Sequence, residues 1–233
     1  MANENYTHIA FVVDRSGSMS GIASSMREGF DEFMQGQLDV EGDATVTLAR
    51  FDNEYELVHD MVEIGQVGPL ELVPRGSTAL LDGMGMTMNS VRAQITEMDD
   101  AERPARCIFI FITDGGENAS REYSRDRVFQ MIQDCQNDDE INYEFIFLGA
   151  NQDAISAGHS FGIRADASMT YGANNSGTRS VYDSLSRGVT EYRTCAVAKE
   201  ATLSFTDEDR AEALGENPII PDISPSVIRN MKK

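Results

Sequence analysis

The chain has 233 residues, with 19 Lys+Arg against 39 Asp+Glu and a formal net charge of −20. That length predicts one domain, or one domain with an appendage, and 41% hydrophobic content is enough for a sizeable core. So acidic a chain repels phosphate backbones, and no apolar run is long enough to span a bilayer, so neither direct nucleic-acid binding nor a membrane role is expected. The polar start, Met1 to Thr7, carries no export signal, and an odd count of three Cys (Cys107, Cys135, Cys195) speaks against a disulfide framework. A reducing, cytoplasmic compartment is therefore expected. The three His (His8, His59, His159) and the three Cys have no zinc-ligand spacing.

In chain order, Ile9–Val13 is a continuous apolar run and predicts a strand buried on both faces, as in a parallel sheet covered by helices. Ile22, Met26, Phe30, Phe33 and Leu38 follow at helical spacing. Thr45–Phe51 and Tyr55–Ile64 read as strands joined at Asp52-Asn53-Glu54, a hairpin that places one antiparallel strand at the sheet edge. His59 falls in that edge strand as a structural residue. Leu81, Met84, Met88, Val91, Ile95 and Met98 form a second helical stripe, read as core packing and not as a Met-rich binding face. Cys107–Ile112 and Phe145–Leu148 are two further buried strands, which leaves Cys107 and Cys135 as inert buried thiols. Asp138-Asp139-Glu140 reads as a solvated turn before the second of these. A short helix ending near His159, a short strand near Ser168–Tyr171 and a helix carrying Tyr182, Leu185, Val189 and Tyr192 complete the alternation. The fold class predicted is α/β: a doubly wound, mostly parallel central sheet with one antiparallel edge strand and helices on both faces. Composition changes after Cys195, so the division expected is residues 1–195 as the domain and 196–233 as an appendage. In the appendage, Thr206-Asp207-Glu208-Asp209 starts a short helix with a capping box, and Glu216–Lys233, with Pro218, Pro221 and Pro225, reads as a tail or docking arm.

In an open α/β sheet, ligands bind beyond the carboxyl ends of the strands where the strand order reverses. Asp14 follows the first strand, in Asp14-Arg15-Ser16-Gly17-Ser18, and Asp114 follows a central strand, in Thr113-Asp114-Gly115-Gly116. A third loop, Gly76-Ser77-Thr78, precedes the second long helix. If the first and fourth strands are neighbours, the three loops share one rim, and every donor they bring is oxygen. Such a set suits Mg²⁺, not zinc or copper. Glu117 and Asn118, just beyond Asp114, read either as partner contacts or as a solvated loop.

These three motifs, in this order and on this strand–helix pattern, resemble the von Willebrand factor type A (VWA) domain with its metal-ion-dependent adhesion site (MIDAS). The resemblance covers roughly Tyr6 to Cys195. It implies that Ser16, Ser18 and Thr78 supply hydroxyl ligands to Mg²⁺, with Mn²⁺ or Ca²⁺ as substitutes, while Asp14 and Asp114 act through water or by orienting those ligands. It implies binding without turnover, in which a partner protein's Asp or Glu completes the coordination. The partners it implies are subunits of larger assemblies, including those run by AAA+ ATPases or built from phage structural proteins, the latter with a virion location. Two other functions compete. One is a structural or virion subunit with an idle metal site. The other is a Mg²⁺-dependent phosphotransferase using Asp14 as nucleophile, against which the residue two positions on is Ser16 and not a second acid. No Walker-type phosphate loop is present.

Overall fold

The computed structural model describes residues 2–215; the tail reading of Glu216–Lys233 lies outside the described residues. Six strands form one sheet in the order β3-β2-β1-β4-β5-β6. They are β1 (Asn3–Asp14), β2 (Asp43–Phe51), β3 (Tyr55–Glu63), β4 (Pro104–Thr113), β5 (Asn142–Ala150) and β6 (Ser168–Tyr171). All pairings are parallel except β2 with β3, the hairpin edge. The mostly parallel, doubly wound sheet with one antiparallel edge is therefore as the periodicity predicts.

The strands run beyond the apolar segments that reveal them. β1 starts at Asn3, six residues before Ile9, and β4 starts at Pro104, before Cys107. Their N-terminal parts hold polar side chains, including His8 and Arg106, that are buried all the same, so an apolar run marks only part of each buried strand.

The helices are α1 (Ala23–Leu38), α2 (Leu80–Glu97), α3 (Arg125–Gln136), α4 (Ala154–Ser160), α5 (Asn175–Thr194) and α6 (Asp207–Leu214). On one face α1 drives Phe30 and Phe33 edge-on against Phe11 of β1, with ring centroids 5.1 and 5.2 Å apart. α1 also meets α5 closely: a Cβ on Gly29 would lie 2.2 Å from the Tyr182 ring, so only glycine fits there. The Met stripe of α2 is core, with Met84 and Met88 fully buried. Leu38, the last residue of the α1 stripe, is instead exposed, because it ends the helix as the chain leaves the sheet. Cys107 and Cys135 are buried thiols, as read from the sequence, and Cys195 is half-buried.

Beyond α5 the chain stays on the body. Leu203 and Phe205 enter the main core. Arg164 holds buried Glu144 through two contacts of 3.0 and 3.1 Å and donates to the Leu203 carbonyl. The capping box at Thr206 and Asp209 is formed, and Asp209 also accepts from Ser184 and Arg187 of α5.

His8 lies buried in β1 with Nδ1 2.9 Å from the Thr45 hydroxyl and, among the described residues, no partner for Nε2. Burial lowers its pKa to about 3 from an ordinary 6.5. A folded-state pKa below the unfolded one means that the unfolded chain takes up the extra proton, so stability falls as pH drops below 6.5. Wild type should lose about 1.5 kcal/mol more than His8→Asn between pH 6.5 and pH 5, measured by urea midpoints at the two pH values.

Candidate metal centre

Reversal of strand order on either side of β1 puts the ends of β1 and β4 side by side, with Val13 paired to Ile112. Asp14 is the last residue of β1 and is fully buried. One of its carboxylate oxygens accepts from the Ser16 backbone N–H at 2.6 Å, and the other accepts from the Thr113 hydroxyl at 2.6 Å. Ser16 Oγ lies 3.0 Å from Ser18 Oγ, and Ser18 Oγ donates to Asp114 at 2.6 Å. The first and third loops are thus joined by a continuous chain of oxygens.

Thr78 completes the arrangement from the second loop. A Cβ on Gly115 would fall 3.6 Å from Thr78 Oγ1 and 3.7 Å from Ser18 Oγ, so both hydroxyls border the space that glycine leaves open. Thr78 is buried and held by its backbone: its N–H donates to Asn118 Oδ1 at 3.0 Å, and its carbonyl accepts from the Asn118 and Ala119 N–H groups. The segment before it is stitched to the first loop, with Arg75 N–H donating to the Arg15 carbonyl and Gly17 N–H to the Gly76 carbonyl. The structure therefore brings together all five residues singled out in the sequence: Asp14, Ser16, Ser18, Thr78 and Asp114.

Several residues that hold the rim were given no such role from sequence. Thr113 bridges the two central strands through Asp14. Glu117 accepts from the Leu81, Ala119 and Ser120 N–H groups, and Asp82 accepts from those of Arg121, Glu122 and Tyr123. Glu117 and Asn118 thus clamp their loop to the start of α2, which answers whether they serve the loop itself. Asp52, read only as a hairpin turn, is fully buried beneath the rim and binds Arg15 Nε at 3.0 Å and Arg75 Nε at 2.7 Å. Burial alone would raise its pKa, but the Arg75 hydrogen bond, the Glu54 N–H and the two guanidinium charges outweigh it and hold the pKa low. The available signal was the pair Arg15 and Arg75, each beside a ligand motif in an otherwise acidic chain.

The two rim carboxylates behave oppositely to Asp52. Burial raises the pKa of Asp14 to about 6, against the hydrogen bonds from Thr113 and Ser16, and the nearby Asp114 adds to the rise. Burial also raises the pKa of Asp114, against the Ser18 hydrogen bond. A buried and a half-buried carboxylate with no cationic side chain on them among the described residues, beside hydroxyls with free lone pairs, form an oxygen-only donor set. Among the described residues no group of three or more His, Cys, Asp or Glu is placed to hold a metal, so any ion here would depend on the hydroxyls.

The sequence matches no protein-family model and no curated protein. The structure does have solved neighbours. Proximal thread matrix protein 1 from the mussel byssus superposes with a TM-score of 0.55 at 14% identity, over 80% of this chain and 46% of that one. A von Willebrand factor type A protein from Catenulispora acidiphila gives 0.53 at 11% identity, over 80% and 43%. The pilus adhesin SpaC from Lactobacillus rhamnosus GG gives 0.60 at 14% identity, over 79% and 30%. The chain has a VWA-type fold. It spans less than half the length of these neighbours. The mussel protein has also been solved with a zinc-occupied MIDAS motif.

A raised folded-state pKa at Asp14 means that the charged form is disfavoured by folding. In EDTA, this group makes the protein less stable as pH rises from about 4 to about 6. Asp14→Asn keeps an acceptor for Ser16 N–H and removes the charge. At pH 7 in EDTA it should unfold at higher urea than wild type, by at most about 3 kcal/mol, and the difference should vanish near pH 4.

Proposed function

We propose that the chain is a non-enzymatic, Mg²⁺-dependent protein-binding module of the VWA/MIDAS type, in which Ser16, Ser18 and Thr78 hold the ion directly and Asp14 and Asp114 orient the site. The observation that carries this reading is the convergence of three loops, with only oxygen donors, on the space that Gly115 leaves open at the strand ends. Mn²⁺ or Ca²⁺ would serve as substitutes. The zinc-occupied site of the mussel protein supports divalent-cation binding in this fold.

A bound Mg²⁺ supplies positive charge and an open position for a carboxylate oxygen. The chain's residues do the rest. Asp14 is spent on Ser16 N–H and Thr113, so it fixes the first loop and adds negative charge beneath the ion. Thr113 keeps Asp14 in place. Asn118 holds Thr78 by its backbone, which leaves the hydroxyl free. The occupant of the open position would be an Asp or Glu of a protein partner in a larger assembly, such as an AAA+ ATPase complex or a set of phage structural proteins.

The phosphotransferase alternative fits poorly. A carboxylate nucleophile must reach phosphorus, whereas both oxygens of Asp14 are engaged and the side chain is sealed from solvent. Among the described residues no helix is long and apolar enough to cross a membrane.

Binding Mg²⁺ to the folded state alone should stabilise wild type by about 2.7 kcal/mol when free ion is a hundredfold above the dissociation constant. Asp14→Ala should fold, lose that shift and lose the protein partner that EDTA releases from wild type in a pull-down. Ser16→Ala and Thr78→Ala should lose part of the shift, because water can replace one hydroxyl. Paired melts in Mg²⁺ and EDTA read this directly; a wild type that melts identically in both would sink the proposal.

A further inference from the structure

At the opposite pole, beyond the N-terminal ends of β1, β2 and β4, lies a cavity of about 570 Å³. Arg106 at the start of β4 and Arg193 at the end of α5 both line it, yet they are only 2% and 6% exposed. Each binds neutral acceptors alone. Arg106 donates to the Glu4 and Cys195 carbonyls, and its Nε finds no acceptor among the described residues. Arg193 donates to the Gln37, Val40 and Gly42 carbonyls and to the Gln37 side-chain oxygen. Among the described residues neither guanidinium forms an ion pair.

That is anomalous in a chain of net charge −20. The other deeply buried arginine, Arg15, is paired with Asp52 and Glu56. A guanidinium does not shed its charge when buried, and burial without a counter-charge is strongly unfavourable. Two such charges bordering one cavity call for an anion. Two cations favour a dianion, and the planar N–H fork favours tetrahedral or planar oxygens over a halide.

We propose that this cleft is a second ligand site, independent of the metal centre, that takes a dianionic oxyanion of the phosphate class between Arg106 and Arg193. The volume exceeds that of a phosphate group, so the organic part of a phosphomonoester fits beside it. Glu41 and Asp43 at the exposed mouth oppose the anion, but water screens them while the buried guanidiniums are screened far less. Glu4, also at the mouth, is occupied by the Ala198 N–H at 3.0 Å.

The test is a titration with inorganic phosphate in EDTA, at low millimolar concentration and at ionic strength matched with chloride, read by calorimetry and melting temperature. Wild type should show saturable binding and a raised melting temperature, and acetate should give neither. The double variant Glu41→Gln/Asp43→Asn, which changes only exposed side chains, should bind phosphate about threefold tighter or more. Ala196→Glu adds a further carboxylate among the exposed residues that line the cavity and should bind phosphate at least about threefold more weakly. Asp14→Ala should retain it, which separates this site from the metal centre. No saturable binding to wild type, an equal effect of acetate, or an unchanged phosphate response in Ala196→Glu would each overturn the proposal.

Discussion

The rim depends on one short contact, the hydrogen bond from Thr113 to Asp14 across the two central strands. β1 and β4 are neighbours only because the strand order turns back at β1, and Thr113 is the last residue of β4. At that point the chain buries a carboxylate and gives it two good donors but no cationic partner. The result is a group whose charge the fold tolerates poorly, set under hydroxyls from two loops. Every other feature of the rim works to keep that arrangement in register. Glu117, Asn118 and Asp82 accept from seven backbone N–H groups, those of Thr78, of Leu81 at the start of α2 and of five residues in the loop after β4, so the hydroxyls do not drift from the carboxylates.

What could be read from the sequence follows from which signals are local. Ile9–Val13, the 107–112 run and the α2 Met stripe carry their own periodicity, and the hairpin at Asp52-Asn53-Glu54 sets the edge strand, so sheet type and the meeting of three loops were accessible. The starts of β1 and β4 were not, because polar residues such as His8 and Arg106 break the apolar pattern there although the fold buries them. Asp52 was missed for a related reason: in sequence a charged residue in a tight turn reads as exposed, and only the approach of Arg15 and Arg75 from distant loops makes burial tolerable. Arg106 was hidden in the same way, as one charged residue just before a strand of otherwise apolar residues. Burial of a charge is a property of neighbours brought by the fold, and one-dimensional patterns do not contain it.

The same ledger of charges separates the two poles. At the strand C-termini, Arg15, Arg50 and Arg75 form one connected network with Asp52, Glu54 and Glu56, three cations with three anions. At the strand N-termini, Arg106 and Arg193 are met by carbonyls alone. An acidic protein thus neutralises its arginines near the rim and leaves two of them unpaired at the far end. On the proposed readings, each pole is a site because of the charge it lacks: positive at the rim and negative at the base.

This balance also bears on how the rim could hold an acidic partner. Arg15 and Arg75 stand close enough to suggest direct capture of a carboxylate, without any ion. Their charges are already cancelled within the network, and Arg75 spends Nε and one Nη on Asp52 and Glu54. To recruit either one, a partner would have to displace buried Asp52 and leave it uncompensated, a cost larger than a surface ion pair returns. With the network neutral, the local field at the rim is that of Asp14 and Asp114 and is repulsive to another carboxylate. Attraction then requires a charge the polypeptide does not provide, which is why the proposed function turns on a divalent cation and why arginine contacts alone would not sustain it.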